Sequence, residues 1–463
     1  MLVSGNAFGA ALLLVRNLIV ARLVSPEQYG IAATYAIAMS IVEMLSYIGL
    51  NQLIVVDGDG DDPHVQKALQ GFQLLRGLFS SLCLFLIAHP YARLMGVEDV
   101  AWAYQVIAVI PLMNGLKHFD VDRLKRHMNF RPAIVASAVP PLVAVLTIWP
   151  IALVFDDHRI MLVSLFVQAA ATVVLSHATA ERRFALALDL AVIRRAAVFG
   201  WPLLLNGILL FGVFNGERII VGNQLGMAQL AVFSMSITLT LTPTLVLSNS
   251  FQSLFLPRLS QLREDGARFQ AVAVATVEAG IAIGVVLVLG IVLVGGPVVH
   301  LLLGPKYAAI MVLLVPMAVL QAARVAKTGA STVALSRHRS GNAMAANLVR
   351  VLSLPLAWYA VSHTGNVLTV IAIGILAETV GFGVSLYLAA RRARLALQTL
   401  WLPSLLTALA CIAALWDAHV HPPAAALGDH LRLSHFAVAA LCLLALASMG
   451  ELRRFLLRRF LGR

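Results

Sequence analysis

The sequence predicts an all-α polytopic membrane protein, and three observations carry that reading. Of the 463 residues, 60% are hydrophobic and only 12% are charged, and the mean hydropathy is +0.88, a composition that a soluble domain of this length does not show. Apolar windows of about 20 residues, the length at which a helix crosses the hydrocarbon core, recur along the whole chain with short polar breaks between them. The ~10-residue alternating segments and long polar loops of a spanning barrel are missing.

Taken in order, the windows place spans at 3–24, 29–55, 67–89, 100–116, 132–155, 159–180, 197–222, 229–256, 271–294, 308–336, 341–361, 366–390, 399–416 and 434–450, about fourteen in all. Turn chemistry marks the breaks: Ser25-Pro26, DGDGDD at 57–62, DDH at 156–158, SHTGN at 362–366 and His421-Pro422-Pro423. None of these breaks is long enough for a soluble domain. DGDGDD has the look of a calcium loop, but Asp62 stands where such a loop needs glycine and Ala68 where it needs glutamate. It reads instead as a solvated turn. Cys83, Cys411 and Cys442 lie in apolar windows without CxxC spacing, so they read as small core residues, and neither a metal site nor a cofactor is expected.

Every second loop is basic, although the second in the chain has only Lys67. Lys117, Arg123, Lys125, Arg126 and Arg131 follow span 4, and Arg182, Arg183, Arg194 and Arg195 follow span 6. Further on come Arg258, Arg263 and Arg268, then Arg337 and Arg339, then Arg391, Arg392 and Arg394, and finally Arg453, Arg454, Arg458, Arg459 and Arg463. The opposite loops hold scattered charges such as Arg93, Arg159, Lys306 and Arg432. The positive-inside rule then makes both termini cytoplasmic, which requires an even number of spans. Basic loops facing anionic lipid account for the net charge of +12, and no nucleic acid is needed to explain it.

Setting Ile19-Val20 against Ile220-Val221 aligns RNLIVARLVSPEQYGIA with ERIIVGNQLGMAQLAVF and lays span 1 on span 7. Six intervening spans preserve orientation, so the halves are expected as parallel repeats. The domain plan that follows is a six-helix bundle with its connecting loop over 1–196, a second bundle over 197–398, and two added helices with a basic tail over 399–463. Two bundles with a midplane cavity make a transporter plan.

Charged side chains inside spans are costly and normally face the bundle interior or water. Arg16, Arg76, Arg324 and Arg350 sit near the middles of spans 1, 3, 10 and 11, Arg218 lies off centre in span 7, and Arg22 is close enough to a span end to snorkel. In span 10, Gln321, Arg324, Thr328 and Ser331 share one helical face, with Lys327 on its border. Span 8, SMSITLTLTPTLVLSNSFQ, is rich in hydroxyls around Pro243, as packing glue or as part of a wet path. The embedded acids are Glu43, Glu217, Glu278 and Glu378. Each either neutralises an arginine or responds to a proton or cation, and Glu43, Glu217 and Glu378 are the candidates for ion coupling. Arg16, Arg76, Arg218, Arg324, Lys327 and Arg350, six embedded cations without the snorkelling Arg22, against four acids leave the interior positive by two, which suits an anionic passenger.

The run VARLVSPEQYGIAATYAIAMSIVEMLSYIGLNQLIV resembles the start of bacterial polysaccharide flippases of the Wzx type, where an ARLLSPEDFG-like motif joins spans 1 and 2. LQGFQLLRGLFSSL, HMNFRP and FGWPLLLNGILLFGVFNGERIIVGNQLG are similar to later parts of the same family, which belongs to the multidrug, oligosaccharidyl-lipid and polysaccharide exporter superfamily. Its lipid II flippases share an RDxIVARxFG first helix, matched here by Arg16, Ala21 and Arg22, while Asn17 replaces the acidic residue. Family members carry a short cytoplasmic lead with a Trp, which implies a natural start upstream of Met1.

The resemblance implies alternating-access transport of an undecaprenyl-diphosphate-linked oligosaccharide, destined for exopolysaccharide, capsule or O-antigen, across the bacterial cytoplasmic membrane. Partners would be that lipid-linked glycan, membrane lipid, and the polymerase and glycosyltransferases of the same pathway. Guanidinium groups bind a diphosphate well, so Arg16, Arg22, Arg76, Arg218, Gln321, Arg324, Lys327 and Arg350 are the candidate substrate contacts. No GxxxxGK[ST] loop is present, which leaves an ion gradient or the membrane potential as the driving force. The alternatives are a lipid II flippase or a multidrug exporter of the same superfamily, the latter favouring acidic over basic lining. An enzyme, such as a membrane polymerase or acyltransferase, needs a catalytic loop. Only 417–435 offers one, with Asp417, His419, His421, Asp429, His430 and His435, and those histidines read better as solvated or interfacial.

Overall fold

A computed structural model of the chain describes residues 2–339, 341–421 and 432–460, and those residues are helical nearly throughout, with no strand among them. In chain order the helices are α1 Leu2–Leu23, α2 Pro26–Leu45, α3 Leu50–Val56, α4 Pro63–Leu94, α5 Ala101–Ile107, α6 Val109–Gly115, α7 Asp120–Arg126, α8 Arg131–Ala152, α9 Arg159–Ala178, α10 Leu190–Leu225, α11 Met227–Gln261, α12 Gly266–Leu303, α13 Ile310–Ser336, α14 Gly341–Leu352, α15 Leu354–Thr364, α16 Val367–Ala393, α17 Trp401–Val420, α18 Leu433–Ser448 and α19 Gly450–Phe460. Each expected span falls on one of these helices or on a broken pair of them. Ten helical segments are long and apolar enough to cross a bilayer by themselves, and three bent pairs raise the number to as many as thirteen, with α1 outside that count. Pro422, Pro423, Asp429, His430 and Arg463 lie outside the described residues.

The breaks are written in cap residues. Ser25 accepts from the Gln28 N–H while Pro26 opens α2, and Asp62 accepts from the His64 N–H while Pro63 opens α4. Asp189, Asp265 and Asn366 cap α10, α12 and α16 in the same way. Between α2 and α3 the span bends by 45°, and Gly49 sits there at φ 63°, a left-handed conformation that glycine adopts without a Cβ clash. The outward faces are apolar: Leu75, Leu78, Phe79, Leu82 and Leu86 form an exposed stripe along α4, the reverse of a soluble helix and the pattern lipid requires.

The chain divides into two units, Met1–Ala231 and Val232–Arg463. The expected plan cuts at 196/197 and so assigns α10 to the second bundle. Here α10 packs on α2 and α4 in the first unit, because Gly200 and Gly207 bring its backbone against the Ile48 and Met44 carbonyls.

Within the first unit the alternate loops gather on one side. The acidic turn at 57–62 meets the segments after α6 and after α9: His127 Nε2 lies 2.8 Å from Asp61 Oδ1, Arg182 Nη2 donates to Asp61 O at 2.9 Å, and Arg195 Nη1 donates to Asp59 Oδ2 at 3.0 Å. Arg126 caps the end of α3 by donating to the carbonyls of Val55 and Asp57. The turn is therefore a docking point for basic side chains and not the solvated loop expected from sequence. The remaining loops form the other side, where the Gln28 side chain accepts from the His158 N–H at 3.2 Å and Asn223 Nδ2 donates to Leu94 O at 2.6 Å. In the second unit the segments after α11, α13, α16 and α18 likewise gather, with Arg263 Nη2 donating to Ser336 O at 2.8 Å and the Ala396 N–H donating to Gln270 Oε1 at 3.0 Å.

Candidate functional site

The second unit buries a basic cluster on α13, α14 and α16. Glu378, fully buried on α16, takes Arg324 Nε on one oxygen at 2.8 Å and Lys327 Nζ on the other at 2.8 Å, with Arg350 Nε 3.4 Å from the first. Lys327 also donates to Asn347 Oδ1 at 3.0 Å, Arg324 Nη1 to Gln321 Oε1 at 3.2 Å, and Arg350 Nη1 to Ser353 Oγ at 3.2 Å. Five sequence-predicted residues thus meet: Gln321, Arg324, Lys327, Arg350 and Glu378. Three cations thus converge on one carboxylate. The polar stripe of span 10 lies along α16, with Ser331 Oγ 3.2 Å from Ser385 Oγ one turn-pair beyond Glu378. Buried charges of like sign in low dielectric raise one another's energy unless an anion compensates them.

The first unit holds two smaller groupings. Arg16, 8% exposed, donates through Nη1 to Gln168 Oε1 on α9 at 2.5 Å. Tyr29 on α2 is buried, and the charges of Arg218 on α10 and Arg16 on α1 both act on its hydroxyl. Glu217 is buried on α10 beside Arg218 in sequence. Around the α2–α3 break, a cavity of about 250 Å³ is lined by Glu43, Arg76, Asn114 and Lys117, among others. Asn114 Nδ2 donates to Glu43 Oε1 at 3.2 Å and Arg76 Nη1 donates to Ser46 O at 3.2 Å. Glu43 is exposed, and its place is by Arg76 and not by Arg16.

Arg22 is exposed in the last turn of α1. Glu278, expected as a possible partner of an embedded arginine, instead accepts the Leu452 N–H through Oε2 at 2.6 Å. The hydroxyls of span 8 turn back on their own helix: Ser236, Thr240 and Thr244 donate to the carbonyls four residues earlier, satisfying themselves as transmembrane Ser and Thr commonly do. In the 417–435 segment, Asp417 Oδ2 lies 2.9 Å from His435 Nε2. Among the described residues no three His, Cys, Asp or Glu side chains are placed to hold a metal ion. Sequence reasoning missed Gln168, Tyr29, Asn114 and Asn347, neutral partners whose only signal was being polar inside an apolar window.

Fold and site together define a multi-pass helical membrane protein with basic clusters buried in its units. The fold is similar to that of the lipid II flippase MurJ in an inward closed conformation, at TM-score 0.67 and 13% identity over 99% of both chains. It is also similar to an inward-facing multidrug resistance MATE transporter of the MOP superfamily, at TM-score 0.60 and 14% identity over 83% of this chain and 94% of that one. Residues 19–312 match the profile of the polysaccharide biosynthesis protein family, and the chain belongs to that family. A curated relative, the succinoglycan biosynthesis transport protein ExoT of Rhizobium meliloti (strain 1021), is 24% identical over 296 residues, 63% of this chain. The match spans 58% of that relative's length.

Proposed function

We propose that this chain is a transporter that carries a polyprenyl-diphosphate-linked oligosaccharide across the bacterial cytoplasmic membrane by alternating access, with both termini in the cytoplasm and no chemical change to the cargo. The observation that carries the reading is the cluster of Arg324, Lys327 and Arg350 on the single carboxylate of Glu378. A diphosphate suits three cations gathered at one point, because guanidinium forks match phosphate oxygens two at a time. Arg16 with Arg218, and Arg76 with Lys117, offer further positive charge in the first unit, and Arg22 serves as an outer contact. The family and the transport relative support a polysaccharide precursor as the cargo, and the excess of buried cations disfavours a cationic drug. Glu43, exposed on its cavity, is the acid through which a coupling ion acts, because both oxygens of Glu378 are already committed to cations.

The test is headgroup accessibility in proteoliposomes loaded with a polyprenyl-diphosphate oligosaccharide, read with a non-permeant glycan-modifying reagent. Wild-type protein is expected to expose the inner-leaflet pool under an ion gradient, and Arg16→Ala and Arg324→Gln to lose about 1.5–3 kcal/mol of substrate affinity each, tenfold or more. Arg16→Lys retains part of it, since a point charge replaces a fork. Stable variants with wild-type affinity and rate would overturn the reading.

A further inference from the structure

The second unit has a cavity of about 920 Å³ that none of the residues discussed so far as substrate contacts touches. It lies among the end of α11, the start of α12 and the terminal helix α19, on the side where the basic loops of this unit gather. Arg258, Arg268 and Arg454 line it, with Glu451 as the acid and Leu254, Val272 and Phe455 as apolar wall. Glu451 is taken by Arg454 at 2.6 Å, and Arg258 is exposed, with Nη1 3.5 Å from Gln261 Oε1.

α19 is built to lie at a membrane surface. It leaves α18 at 65°, so it runs off the direction of the span, and its sequence GELRRFLLRRF alternates apolar and arginine residues at helical spacing. Leu452 and Phe455 pack on a cluster formed by Phe251, Phe255, Ala275 and Ala279, and the Phe255 and Phe455 rings stack at 4.7 Å. Glu278 ties its first turn to α12 through the Leu452 N–H. Leu456 and Leu457 are left exposed, as residues dipping into the acyl boundary would be.

We propose that this cavity takes the phosphate headgroup of an anionic bilayer phospholipid, with Arg258, Arg268 and Arg454 on the phosphate and Leu254, Val272 and Phe455 beside the first methylenes of its chains. The volume exceeds what a free phosphate fills and sits in the range of small-molecule sites. The mixed wall and the surface helix favour a ligand that is anionic at one end and apolar at the other.

The experiment uses the purified full chain in neutral detergent with dioleoylphosphatidylglycerol or dioleoylphosphatidylcholine at equal mole fraction, read by thermal melting and by native mass spectrometry. Ligand that binds only the folded state raises Tm by mass action. Phosphatidylglycerol is expected to raise Tm by about 3 °C more than phosphatidylcholine, with at least one phosphatidylglycerol retained per chain. The double variant Arg258→Gln with Arg454→Gln loses at least half of that increment and the retained lipid. Arg453→Gln, on the exposed face of α19 outside the lining, keeps both. An unchanged increment and unchanged lipid retention in the double variant overturn the proposal, as does an equal shift from inorganic phosphate alone. Lipid counting per folded chain keeps the test decisive even where the double variant melts early.

Discussion

At the residue scale, the position of Glu378 makes an asymmetric prediction. Removing its charge takes away the carboxylate on which Arg324, Lys327 and Arg350 converge, whereas removing one cation relieves part of their repulsion. Glu378→Gln is therefore expected to cost about 3–5 kcal/mol, and Lys327→Met less than half of that. Melting of the two variants in the same detergent checks the order, and equal Tm values would show that the carboxylate is not the keystone of the cluster. Asp120, outside the spans, gives a pH prediction. Burial alone would push its carboxyl up, but Arg123 Nε at 2.5 Å and the N–H groups of Glu181 at 2.6 Å and Arg182 at 3.1 Å hold it down, to about 2. A depressed folded pKa contributes stability that is complete above the unfolded value near 4 and drains only as the pH falls towards 2. Asp120→Asn should thus lose roughly 2 kcal/mol at every pH between 5 and 8, with the gap to wild type narrowing only below pH 4. A gap that narrows near neutrality would assign the stabilisation to another group.

At the element scale, the spans were readable because the membrane demands them: an apolar window, a proline and a capping Ser, Asp or Asn fix a helix whatever surrounds it. Arg324, Lys327, Arg350 and Glu378 could each be picked out as charges inside such windows. Their meeting could not, because Glu378 lies 54 residues from Arg324 and 51 from Lys327, and no periodicity encodes which helices pack. Arg16 shows the same limit, since its partner Gln168 is 152 residues away. The placement of α10 was hidden for a different reason: Gly200 and Gly207 look like ordinary transmembrane glycines until the backbone at the end of α2 and in the break after it is laid against them. A Cβ on Gly207 would meet the Met44 carbonyl oxygen, so Gly207→Val should force the two helices apart. The expected result is a loss of about 1–3 kcal/mol, read as a lower Tm together with weakened substrate affinity, because Arg218 rides on the same helix. Gly383, with nothing near its absent Cβ, supplies the control position at which Ala should be nearly neutral.

At the scale of the whole molecule, the gathering of alternate loops agrees with the alternation of basic loops, and a labelling experiment can assign the sides. A cysteine-free background requires replacing Cys83, Cys411 and Cys442, all free thiols. Leu124 lies in the right loop but is only 3% exposed, whereas Met128 is 74% exposed. A cysteine at position 128 is expected to react only with cytoplasmic reagent and one at Glu98 only with periplasmic reagent. Reaction of both from one face would refute the two-sided arrangement.

The acidic turn at 57–62 has a consequence for how the protein is made. Its basic partners arrive late: the turn leaves the ribosome 66 residues before His127, 121 before Arg182 and 136 before Arg195. At ordinary synthesis rates that is a wait on the order of ten seconds. During that interval the arginines enter the membrane one hairpin at a time as loose charges, the kind on which the positive-inside rule acts. In the folded chain guanidinium groups close onto the aspartates of the turn, Arg195 onto Asp57 and Asp59 and Arg123 and Arg126 onto Asp61. Asp57, Asp59 and Asp61 are thus the acids that join the three loops on this side. Neutralising them should leave every hairpin threaded as before while slowing the passage of the inserted chain to a protease-resistant form.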